Sequence, residues 1–312
     1  VNIQRKLLGT RLVEKVLFLC LAITQAIVSL PAVAGTSSQI DTAAAGRPLY
    51  KATWIWNTGL QLKNIDSTFR FLEQNGVNLV FLQVDADVPA ADYGSFIGRA
   101  SASGIEVHAL GGAPDWVLED HQVKMYKLID WVKTYNGSVR AEQRFKGIHL
   151  DVEPFVLREW YADTDAMLGL WRDTVSGFVE EMRTETPGLV AGADLPVWLD
   201  KFQVPDGQGG RSTLSAWMIR KLDLTVLMAY RDNASDIIAS VTSKLNEAET
   251  DGKPVIVAVE TLPNAERDIT FYTKGSVQML RDLGIVCETF GSRAAFAGYA
   301  VHDYDGWSRL AE

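Results

Sequence analysis

The chain has 312 residues, 47% of them apolar and 22% charged, a globular composition that argues against a disordered or fibrous protein. Its 30 bases and 39 acids give a formal charge of −9; without residues 1–34, which hold four bases and one acid, 26 bases face 38 acids and the charge is −12. Such acidity disfavours nucleic acid or an anionic membrane as partner and leaves neutral ligands open.

Residues 1–34 have the pattern of a secretory signal peptide: Arg5, Lys6, Arg11 and Lys15, an apolar core over 16–30, and "AVA" before Gly35. The alternative is an uncleaved N-terminal anchor, because the apolar run is almost long enough to span a bilayer. The expected location is therefore secreted, periplasmic or in the cell envelope. Cleavage removes Cys20 and leaves Cys287 alone, so stability has to come from packing rather than from an intramolecular disulfide. Residues 35–49, which contain "SSQIDTAAAGRP", have the small, polar composition of a linker.

From residue 50 to 312, short β-rich runs alternate with longer helical patterns. The predicted strands cover 52–56, 77–84, 105–110, 147–153, 189–195, 222–230, 254–260 and 296–303. Helical spacing between them is clearest at 67–76 and 171–188, and each of those segments closes on a glycine just before the next strand. Eight strand–helix units in one domain of this size predict an α/β fold, the (β/α)8 TIM barrel. An open doubly wound sheet is the alternative, but no glycine-rich phosphate loop follows the first strand.

Catalytic groups of such barrels stand at the C-terminal strand ends. The polar and aromatic residues there are Trp56, Gln83, Asp85, His108, His149, Asp151, Glu153, Asp194, Tyr230, Glu260, His302 and Asp303, and the opposite strand ends are mostly apolar. In "GIHLDVEP" (147–154), Ile148, Leu150 and Val152 alternate with His149, Asp151 and Glu153, so one face of the strand is apolar and the other carries an imidazole and two acids. Buried charge of that kind calls for partners or a purpose. A purely structural account is an ion pair, for instance from Asp151 or Glu153 to Lys146, or from Glu260 to Arg231.

"KGIHLDVE" resembles the D-x-x-D-x-D-x-E signature of the family-18 glycoside hydrolases, the chitinase-like barrels. Asp151 and Glu153 fall on its last two acids, while Lys146 and His149 replace the first two. "LMAY" (227–230) looks like that family's M-x-Y-D, with Tyr230 on the tyrosine and Arg231 where its aspartate stands. The resemblance implies that Glu153 protonates the leaving oxygen, that Asp151 orients the 2-acetamido group of the substrate as nucleophile, and that Tyr230 holds that group. Such an acid must stay protonated near neutral pH, and a neighbouring carboxylate, here Asp151, raises its pKa. Loss of the two supporting aspartates puts chitin itself in question.

Glu260 opens a second route. Many retaining glycosidases on this barrel place the acid/base after strand four and a carboxylate nucleophile after strand seven, about 5–5.5 Å apart. "DVEP" and "VAVET" put acids at both places. Trp56, Trp116, Trp198 and Trp307 follow strand ends and offer flat faces for sugar rings, although each alone serves equally as a core anchor. His108, His149 and His302 also lie at strand ends, but without the spacing of a zinc motif. The expectation is an exported glycosidase, a monomer without cofactor or metal, acting on an envelope or extracellular poly- or oligosaccharide. Its alternatives are a sugar-binding barrel that has lost catalysis and a metal-dependent envelope deacetylase or amidase.

Overall fold

The computed structural model describes residues 48–207 and 209–312. The expected signal peptide and all but the last two linker residues lie outside the described residues; Leu49, the last of the linker, is buried in the core. Eight strands follow: β1 (Tyr50–Ile55), β2 (Leu79–Gln83), β3 (Glu106–Gly111), β4 (Gly147–Leu150), β5 (Val190–Pro196), β6 (Leu224–Met228), β7 (Val255–Glu260) and β8 (Phe296–His302). They pair in chain order, all parallel, and β8 returns to β1 to close the barrel. This is the (β/α)8 architecture that the alternation of strand and helix patterns predicts.

Period-two alternation sorts each strand between two layers. Ala52, Trp54, Leu79, Phe81, Leu110, Leu224, Val226, Ile256, Ala258 and Ala300 form one cluster inside the ring. The intervening residues, among them Val80, Leu82, Ile148, Leu150 and Val152, pack outward in a larger cluster shared with the helices. The helix Thr164–Glu185 shows how that outer layer forms: Asp163 caps it by accepting from the Ala166 amide at 3.0 Å, and Met167, Trp171, Val175, Phe178 and Met182 recur at helical spacing on its buried face. Each such apolar side chain contributes about 1.5–3 kcal/mol through burial. Gly76 and Gly188 follow the two helices on which the sequence pattern is clearest, at φ values of 64° and 93° that favour glycine.

Inside the barrel, two imidazoles occupy space left by glycines. His108 pairs in register with Gly147 and His149 with Gly192. A Cβ on Gly147 would lie 2.7 Å from His108 Nδ1, and one on Gly192 would lie 2.4 Å from His149 Nδ1. The observed β4 is shorter than predicted. After Leu150, the Asp151 amide still donates to Gly111 O at 3.1 Å, but the chain then turns into a 3-10 turn, Pro154–Val156. Proline has no N–H with which to continue a ladder. That departure carries Asp151 and Glu153 to the rim. After β5, a small antiparallel hairpin, Gln203–Pro205 with Arg211–Thr213, is an addition that the strand pattern did not predict.

Candidate active site

Acids from three strands meet at the C-terminal mouth. Asp151 and Glu153 come from the end of β4, Asp194 from β5 and Glu260 from β7. Tyr230, two residues past β6, lies in the electrostatic field of all four, which adds to burial in raising its hydroxyl well above the ordinary tyrosine pKa. His302 is the cation-forming group among them. Its ring lies 5.3 Å from that of Trp54, 6.0 Å from that of Tyr230 and 6.3 Å from that of Trp56.

Hydrogen bonding divides these residues into two sets. Glu260 is bonded through both oxygens: Oε1 accepts the amides of Thr261 and Leu262, each at 2.7 Å, and Oε2 lies 3.0 Å from His302 Nδ1. His302 Nε2 lies 3.1 Å from the indole nitrogen of Trp56. Asp194 accepts the Trp54 N–H at 3.1 Å. By contrast, the carboxyls of Asp151 and Glu153 and the hydroxyl of Tyr230 make no hydrogen bond within the described residues, and Asp151 Oδ1 is fully buried without a partner. Buried polar atoms are nearly always satisfied, so groups left open at a barrel mouth are suited to an absent partner.

The electrostatics favour protonated acids. Burial raises Glu153, and the negative field of Asp194 raises it further, against the opposing influence of His302. Asp151 is raised well above the carboxylate range by burial, Asp194 and Glu153 in that order. Asp194 is pushed up to about 8 by burial, despite the Trp54 bond. Burial also lowers His149 to about 3, so its imidazole is neutral. His149 Nε2 lies 3.0 Å from Asp194 Oδ1, but at an angle that leaves neither atom properly hydrogen-bonded. Near neutral pH the His149–Asp194 pair therefore carries no net charge.

Several positions differ from the sequence reading. His149 and His108 are 0% and 1% exposed, so both lie beneath the mouth, closed to solvent. His108 pairs with Glu106 at 2.7 Å, toward the other end of the barrel. Asp194, at 3% exposure, acts from below the rim. Asp303 is spent on the terminal helix, where it accepts the Gly306 amide at 2.7 Å. Asp85 closes its own turn by accepting the Asp87 amide at 2.9 Å.

The tryptophans also separate. Trp56 directly follows β1, packs against the inner cluster and belongs to the mouth. Trp116 is half-buried against the helix layer, and Trp198 sits in an aromatic cluster with Phe155, Trp160 and Phe202 at centroid distances of 5.0–6.1 Å. Trp307 is buried edge-on against Phe71. Gln83 remains half-buried at the end of β2, its side-chain amide making no hydrogen bond within the described residues.

The structural ion pairs envisaged from sequence are not those formed. Lys146 precedes β4 and sits at the opposite end of the strand from Glu153, where it lines two open clefts of about 430 Å³ each. Arg231 donates to the backbone carbonyl of Tyr230 at 2.6 Å, and Glu260 pairs with His302 instead. Trp54, which sequence reasoning missed, holds Asp194. Its signal was available, since Trp54 and Trp56 are two residues apart and therefore share a face.

The sequence matches no family model and no curated protein. Solved structures do match its fold. A chitinase from Bacteroides thetaiotaomicron superposes with a TM-score of 0.55 at 8% identity, covering 83% of this chain and 90% of that one. A mutant class V chitinase from Nicotiana tobaccum in complex with NAG4 gives 0.51 at 13% identity, over 83% of this chain and 94% of that one. A calcium-binding mutant of β-glucuronidase 2 from Bacteroides uniformis gives 0.56 at 8% identity, over 83% of this chain but 31% of the larger enzyme. The chain thus has the barrel fold found in chitinases and other glycoside hydrolases.

Proposed function

We propose that this protein is an exported glycosidase that cleaves bonds next to an N-acetylated sugar in an envelope or extracellular polysaccharide. Glu153 serves as general acid, delivering its proton to the leaving glycosidic oxygen. The carbonyl oxygen of the substrate's 2-acetamido group attacks the anomeric carbon, Asp151 orients that group through its N–H, and the Tyr230 hydroxyl holds it. Water then opens the cyclic intermediate and returns a proton to Glu153.

The observation that carries this reading is the contrast in hydrogen bonding. Glu153, Asp151 and Tyr230 present unpaired polar groups at the mouth, whereas both oxygens of Glu260 are occupied. A carboxylate nucleophile needs a free oxygen aimed at the anomeric carbon. The fold shared with chitinases supports a carbohydrate ligand, and the raised pKa of Glu153 fits a proton donor near neutral pH. A metal-dependent deacetylase gains no support, because His108, His149 and His302 face three separate carboxylates.

A panel of aryl glycosides with and without a 2-acetamido group tests the proposal. Cleavage confined to the N-acetylated sugars is expected; cleavage of plain hexosides would return the nucleophile to Glu260. Glycan binding without release of reducing ends would make the protein a sugar-binding barrel.

A further inference from the structure

Glu260, His302 and Trp56 form one hydrogen-bonded chain across the adjacent strands β7, β8 and β1, and the chemistry of the three groups allows it a single direction. An indole N–H only donates. His302 Nε2, 3.1 Å from it, must therefore accept and carries no hydrogen. In the neutral ring the single proton then sits on Nδ1 and is donated to Glu260, whose carboxylate only accepts. On its other oxygen Glu260 is clamped by two main-chain amides, so it cannot swing away from His302.

We propose that Glu260 is a positioning residue that sets the tautomer of His302 and thereby fixes the indole of Trp56 as a rigid platform for a sugar ring. The platform rests on the carbohydrate reading above; the tautomer does not. Trp56 is suited to that part because it is half-buried, packs against the inner cluster and directly follows β1, so the ring is anchored while part of the residue stays exposed. Aromatic faces held in one plane bind with little loss of conformational freedom.

The arrangement makes the isosteric variant informative. In Glu260→Gln, one amide oxygen is the only acceptor, and the amides of Thr261 and Leu262 both claim it. The NH2 group is left facing His302 Nδ1, which must then accept. The ring proton moves to Nε2, where it opposes the N–H of Trp56, and two donors in contact push the indole out of place. Trp56→Phe acts from the other end, since it frees the Nε2 lone pair without removing the ring. His302 is faced by Glu260 on β7, Asp303 after β8, Asp194 on β5, Asp151 and Glu153 after β4, Tyr230 after β6, and Trp54 and Trp56 on and after β1. With the Trp56 bond gone, those carboxyls draw a second proton to His302 at higher pH than in the parent.

Long-range nitrogen–proton correlation spectra of the imidazoles test this on the full chain, with His302 assigned by its loss in His302→Gln. The parent should show a protonated Nδ1 and a lone pair on Nε2. Glu260→Gln should show the reverse, and Trp56→Phe should raise the protonation midpoint of His302. A proton on Nε2 in the parent, or an unchanged tautomer in Glu260→Gln, would overturn the proposal, and unchanged thermal melting in Trp56→Phe guards against misfolding as the cause. With tetra-N-acetylchitotetraose as probe, Glu260→Gln should bind about tenfold more weakly, the scale of one aromatic contact. Equal binding by both proteins would refute the platform. No binding by either would count against the carbohydrate reading and the platform, while the spectra still decide the part of Glu260.

Discussion

Replacing Asp194 by asparagine should make the protein more resistant to unfolding at alkaline pH, by an amount set by one buried proton. The Asp194 carboxyl is 3% exposed and its pKa is displaced from 3.8 to about 8, chiefly by burial. A folded-state pKa raised above the unfolded value means that the folded protein holds the proton more tightly. The resulting stabilisation is complete below the unfolded pKa and is lost as pH rises through the folded one. At about 1.4 kcal/mol per pKa unit, this amounts to about 4 kcal/mol between pH 4 and 7 and about 5 kcal/mol by pH 8. Asparagine is the right replacement because it stays neutral: its carbonyl can accept the Trp54 N–H while its NH2 faces His149 Nε2, as a protonated Asp194 would. Urea unfolding of parent and Asp194→Asn at pH 5, 7 and 9, followed by tryptophan fluorescence, gives the difference directly. The gap should widen from pH 5 to 9 in favour of the variant. Parallel stability profiles would show that Asp194 ionises like an exposed carboxyl, and the electrostatic account of the mouth would fail.

The same field governs activity. Glu153 must be protonated to act, so turnover should fall as pH rises through its raised pKa, and Asp194→Asn should move that alkaline limb to lower pH because asparagine cannot acquire the negative charge that Asp194 gains as it ionises. An alkaline limb that stays in place would detach Asp194 from the acid. Glu153→Gln should lower kcat by about 10²- to 10⁴-fold on substrates with poor leaving groups while leaving oligosaccharide binding intact; parent-like turnover would remove Glu153 from the mechanism. In Gly192→Ala, a methyl group would meet His149 Nδ1 at 2.4 Å, which should cost about 1–3 kcal/mol in denaturant unfolding and drive the imidazole from Asp194. A variant as stable as the parent would mean that this part of the interior is looser than its geometry indicates.

The fold was legible because it depends on patterns within short windows. Ile148, Leu150 and Val152 against His149, Asp151 and Glu153 is a period of two, and the structure sends the first set to the helices and the second to the interior or rim. Depth along that inner face was not legible. His149 and Glu153 share a face in the sequence pattern, yet four residues of extended chain span up to about 13 Å, enough to separate a sealed interior from an open rim. Which side of that boundary a residue occupies depends on the stagger of neighbouring strands and on what stands opposite, here a glycine on β5. The tryptophans failed for a related reason. A strand end tells where a loop begins, but Trp198 turned back toward Phe155, Trp160 and Phe202, partners that are remote in sequence or lie in an inserted hairpin's approach.

Glu260 shows the limit most sharply. Its position after the seventh strand was read correctly, and position alone made it a candidate nucleophile equal to any other acid at the mouth. What distinguishes it is the path of the next two residues, which fold the amides of Thr261 and Leu262 back onto its carboxylate, and a histidine on the following strand that takes the second oxygen. An acid so held is fixed against its neighbours, with both oxygens engaged, whereas Glu153, followed by proline and released from the ladder, has its whole carboxyl free of hydrogen bonds within the described residues. The chemistry of the mouth is thus divided by local backbone geometry more than by residue type. Two glutamates on one barrel are separated into the proposed proton donor and the proposed brace by whether the main chain after them turns away or turns back.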